Sequence, residues 1–137
     1  MNRHPYLRAY LAGIACPTVF LLVVMTAYTI IRYVYNVPIP VERVIMFPMA
    51  VVPNLWGLWN VLYTLALRKR NVPLGAFGAL LPLLLAPMGY LIARALQISI
   101  PPAKLHDLPF GVVIGLVIYY LAWKYLVGFL NAELGVA

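Results

Sequence analysis

Few residues of this 137-residue chain could do chemistry. Lys104-Leu105-His106-Asp107 sets an imidazole beside a carboxylate, a pair suited to proton transfer. His4 is the only other histidine and Cys16 the only cysteine, so neither a thiolate metal cluster nor an internal disulfide can form. No CxxC, HExxH, paired carboxylates or glycine-rich phosphate loop occurs, and neither a metal nor a cofactor is expected. The other polar cluster is Pro53-Asn54-Leu55-Trp56-Gly57-Leu58-Trp59-Asn60. On a helix Asn54, Gly57, Asn60 and Thr64 share a broad face. With the carbonyl freed by Pro53, and with Pro82 at similar depth, that face could line a ligand or permeation site. The simpler role for Asn54 and Asn60 is interhelical hydrogen bonding.

These residues must be held by a very apolar chain. It is 65% hydrophobic and 9% charged, with ten Lys and Arg, three Asp and Glu, a formal net charge of +7 and a mean hydropathy of +0.95. Soluble domains are about 25% charged, and disorder needs low hydrophobicity. The chain is therefore read as an all-α integral membrane protein. Charges mark off four apolar stretches, 9–31, 44–67, 71–93 and 108–130. Each suffices for a span of about 20 residues, and helices satisfy their backbone inside lipid. The expectation is one transmembrane domain, 1–137, folded as a compact four-helix bundle. Twelve prolines, among them Pro17, Pro48, Pro53, Pro82 and Pro87, should kink the helices.

Four spans put both termini on one side. If that side is cytoplasmic, it carries Arg3, Arg8, Arg68, Lys69, Arg70 and Lys124, against Arg32, Arg43, Arg94 and Lys104 outside. The positive-inside rule favours this orientation in a bacterial-type inner or plasma membrane. The positive charge then meets anionic lipid headgroups. It is split between two faces, which argues against nucleic acid. Asp107 reads as the N-cap of the fourth span, and Lys124 as a side chain that snorkels to the headgroups.

Small residues should mark helix contacts in lipid. Gly75, Ala79, Pro82, Ala86, Gly89 and Ala93 fall on one stripe of the third span, with Leu80, Leu81, Leu83, Leu84 and Leu85 turned to lipid or a partner. Gly111 and Gly115 form a GxxxG in the fourth span, expected to pack within the subunit or to join two copies.

Helix count and length resemble, in outline only, the small multidrug-resistance exporters. Those depend on a carboxylate in the first helix, whereas no Asp or Glu lies in any span here, so no family is identified. The lead expectation is a non-enzymatic bundle that associates with itself or serves a larger membrane complex. The alternative is a small channel or transporter around Asn54. The near-repeat in which Asn36-Val37-Pro38 precedes Pro48 and Pro53, and Asn71-Val72-Pro73 precedes Pro82 and Pro87, adds to that alternative. A lipid-modifying enzyme using His106 and Asp107 is the third.

Overall fold

The computed structural model describes residues 4–38, 42, 45–67, 70–97 and 108–136. Among them every regular element is helical. Helix α1 is Pro5–Val34, and α2 is Val52–Leu62, flanked by π-turns at Ile45–Met49 and Tyr63–Leu67. Helix α3 is Leu74–Ala95 and α4 is Pro109–Glu133. Helices α1, α3 and α4 are long and apolar enough to cross a membrane. The stretch 45–67 is less regular, because a turn at 50–51 separates α2 from the π-turn before it.

Proline shapes these helices mainly by starting pieces. Pro5, Pro53 and Pro82 each occupy a first or second helical position, where a missing N–H costs no intrahelical bond. In α3 the ladder breaks at Leu80, which separates Leu74–Ala79 from Leu81–Ala95. The Leu80 N–H bonds Phe77 O, and the Leu83 N–H bonds Leu80 O, both at 3.2 Å. Pro17, Pro48 and Pro87 lie inside helical turns. Helix ends use residues that tolerate the left-handed region: Asn36 follows α1 at φ 55° and Asn71 precedes α3 at φ 54°. The two Asn-Val-Pro segments thus act as turns.

Helices α1 and α2 form the most extensive pair. They run antiparallel, with Ala9 beside Asn60 and Gly13 beside Gly57. The first turns of α3 pack on α4. The core is Trp56, Leu81, Leu85, Trp123 and Val127. Trp56 and Trp123 lie 5.2 Å apart by ring centroids. Trp59 stacks on Phe77 at 4.6 Å and donates its indole N–H to the Phe77 carbonyl. The π-turn Ala122–Val127 aids the fourth helix. Steps of four drift about 40° per step on an α-helix; the wider turn lets Trp123, Val127 and Asn131 all be buried.

The stripe expected on α3 holds only in part. Gly75 is buried, but Ala86 is exposed and Ala79, Gly89 and Ala93 are half-buried. Leu81 and Leu85, expected to face lipid or a partner, are 0% and 6% exposed. The break at Leu80 resets which face of the helix meets the core. Leu80, Leu83 and Leu84 do point outward.

Candidate functional site

The polar residues of the second span separate into two places. Asn60 is fully buried. Its Nδ2 donates to the Ala9 carbonyl and to Asn131 Oδ1, each at 2.7 Å, and its Oδ1 accepts from Asn131 Nδ2 at 3.1 Å. This reciprocal amide pair joins α1, α2 and α4. The Thr64 hydroxyl donates to the Asn60 carbonyl within its own helix. Beside the pair, Arg8 Nη1 donates to the Leu134 carbonyl at 3.3 Å, and the Val136 N–H to the Asn131 carbonyl at 2.7 Å. The start of α1 and residues 131–136 therefore meet at one end of the molecule.

Asn54 sits elsewhere and is exposed. Its Nδ2 donates to the Ala50 carbonyl at 2.9 Å, and its Oδ1 accepts from the Tyr10 hydroxyl. Both polar ends of the amide are used, one across the α1–α2 contact and one at the turn before α2. Asn54, Asn60 and Thr64 do not converge on a shared cavity. Pro53 and Pro82 begin helix pieces.

The glycines sort as sharply. A Cβ on Gly13 would lie 2.6 Å from the Trp56 carbonyl oxygen and 2.8 Å from Gly57 Cα. One on Gly57 would strike Tyr10 and Ile14, and one on Gly78 would overlap the Trp123 side chain. Gly75 lies against Tyr120 and Lys124, and Gly89 against the Phe47 ring. Gly111 and Gly115 differ: a Cβ on either meets nothing within 4 Å among the described residues. The packing expected for this GxxxG within the subunit is not present there.

A half-open groove of about 830 Å³ lies between α1, α2 and α4, with Cys16, Val19, Trp56, Tyr119 and Leu126 among its walls. The lining carries no charged side chain. The indole N–H groups of Trp56 and Trp123 are buried without an acceptor in hydrogen-bond geometry.

His4 is exposed in the left-handed region before α1, while Lys104, His106 and Asp107 lie outside the described residues. Lys124 is exposed, its ammonium over the rings of Tyr120 and Tyr125 at 5.7 and 5.2 Å. At the far end of α1, Arg32 pairs with Glu42 at 2.8 Å. This bond holds the Glu42 carboxyl below the usual carboxylate range.

Asn131, Gly13 and Gly78 escaped the sequence reading. Asn131 fell just past the fourth apolar stretch, although helical turns continue to Glu133. Ala9, Gly13 and Pro17 repeat at steps of four, the same signal that singled out α3. Gly78 lies one turn from Gly75, off the stripe. Comparison with known proteins finds no match to this chain among family models, curated proteins or solved structures.

Proposed function

We propose that the chain is an integral membrane four-helix bundle that works without catalysis, by associating with a second copy or with a larger membrane complex through the outer half of α4. Both termini lie on the cytoplasmic side of a bacterial-type inner or plasma membrane. The supporting observation is the contrast among the glycines: among the described residues nothing covers Gly111 or Gly115, while Gly13, Gly57, Gly75, Gly78 and Gly89 each meet a neighbouring helix or helical turn. Two glycines four apart let another helix approach to backbone contact. Their neighbours Val112, Val113 and Ile118 are 46%, 57% and 58% exposed and would supply the rest of the surface. The meeting of Arg8 with Leu134 supports termini on one side, and the basic run Arg68-Lys69-Arg70 supports the cytoplasmic assignment.

The test is energy transfer between labelled copies in liposomes, together with purification from native membranes. Wild-type chains should associate with each other or hold a stoichiometric membrane partner. Gly111→Leu/Gly115→Leu should weaken that association with the thermal midpoint unchanged. A wild type that is monomeric and unaccompanied, or a variant that associates as well as wild type, would refute the proposal. Orientation is read separately. A cysteine at Val37, in a Cys16→Ser background, should react from outside with an impermeant reagent; labelling only after lysis would reverse the topology.

A further inference from the structure

We propose that the groove between α1, α2 and α4 holds one glycerophospholipid, with an acyl chain along the groove and the phosphate on Arg8. The idea rests on the membrane-integrated reading above. The groove's size is that of ligand sites, about 300–1,000 Å³. Water filling it would need two to four polar partners each, and the wall offers few beyond the Cys16 thiol and the Tyr119 hydroxyl. A hydrocarbon chain needs none.

Arg8 supplies the headgroup contact. It precedes Ala15, in the groove wall, by two turns, about 10 Å at 1.5 Å per residue, so the two share a face of α1. Arg8 is half-buried at the end of the molecule where the chain termini meet. Its guanidinium has five N–H donors, and the bond to Leu134 O takes one of them. Among the described residues the ion pair is Arg32–Glu42, at the opposite end of α1, so no described carboxylate neutralises Arg8. Glu133 is exposed next to Leu134. Neither side chain lines the groove itself, but a molecular end with one cation and one neighbouring anion matches a headgroup carrying phosphate and ammonium together, and the probe is therefore phosphatidylethanolamine.

The experiment titrates lipid into the full chain in a non-ionic detergent, with native mass spectrometry and the thermal midpoint as readouts. One phosphatidylethanolamine per chain should be retained and should raise the midpoint. Diacylglycerol with the same chains and inorganic phosphate should each fail to do so. Arg8→Gln keeps a donor for Leu134 O and should weaken lipid binding about five-fold. Val19→Trp adds bulk at a wall residue that is 62% exposed, where folding tolerates it, and should exclude the lipid. Equal stabilisation by diacylglycerol, wild-type affinity in Arg8→Gln, or lipid retained by Val19→Trp would overturn the proposal. A chain released from membranes by an alkaline wash without detergent would instead refute integration, a result visible before any lipid is added.

Discussion

Among the described residues, the end of the molecule where Arg8 meets Leu134 and the opposite end are built from the same small and apolar residues, yet only one is packed. Buried residues lie at 9–21 of α1, 56–60 of α2, 75–85 of α3 and 123–136 at the end of the chain. Beyond them, toward Val34, Ala95 and Pro109, large side chains such as Val23, Leu91, Phe110 and Val113 are 57–72% exposed. Small residues occur in both halves. They permit close approach, but a complementary shape or a hydrogen bond must hold it. In the packed half, Trp123 fills the notch at Gly78 and the Asn60–Asn131 pair closes the helix ends. In the open half, Gly111 and Gly115 have the notch and, among the described residues, nothing in it. In lipid, where apolar burial supplies no drive between helices, an unfilled notch leaves the face available to another chain.

The contrast can be broken most severely at its aromatic centre. Trp123 is fully buried and Phe110 is 72% exposed. Trp123→Ala should cost about 3–5 kcal/mol through the cavity it leaves, and Phe110→Ala within about 0.5 kcal/mol of nothing. Denaturant titration in mixed micelles measures both, and similar losses would place the core elsewhere.

The two asparagines sharpen the comparison at the next scale. Asn60→Leu strands the Ala9 carbonyl and the Asn131 amide in a buried setting, a loss of about 1–3 kcal/mol. Asn131→Leu added to it should restore part of that loss, since the pair then vanishes together. Asn54→Leu removes two exposed bonds and should cost about 1 kcal/mol. Thermal midpoints of the four proteins decide it. An Asn54→Leu protein of full stability that had lost a flux shown by wild type would instead promote the transporter alternative.

The smallest effect belongs to the loop end. The Glu42 carboxyl is held below its usual range by Arg32, so the tie is in place at neutral pH and is lost as pH falls through that lowered value. Arg32 is partly and Glu42 largely exposed, and the change should stay local. Protection against hydrogen exchange around residue 42, taken relative to the intrinsic rate at each pH, should fall in acid with the global midpoint unmoved by this tie. Glu42→Gln should remove the pH dependence, and its persistence in that variant would assign it to another group.

Much of this arrangement could be read from sequence and some could not. Charge spacing placed four helical stretches and composition pointed to a membrane, because both depend only on local runs of residues. Length and apolar character support three of the helices as spans. The second stretch is interrupted at 50–51, next to Pro48 and Pro53, an outcome foreshadowed by proline alone. The faces of α3 were misjudged after Leu80, since periodicity assumes an unbroken helix and the break changes the phase. Asn60 was identified as hydrogen-bonding glue, but its partner Asn131 lies 71 positions away, a pairing no local pattern encodes. The open state of Gly111 and Gly115 is equally non-local: the GxxxG spacing is the same whether or not a helix lies on it.

The division into a packed and an open half is tested most directly by the thermal midpoint of one substitution made on each side, Gly78→Leu and Gly111→Leu, in the same detergent. At Gly78 the added side chain must displace Trp123, and overpacking of this kind costs about 1–3 kcal/mol. At Gly111 it meets none of the described residues. The expected result is a clear fall for Gly78→Leu and an unchanged midpoint for Gly111→Leu; equal falls in both, or a loss at Gly111 alone, would contradict the division.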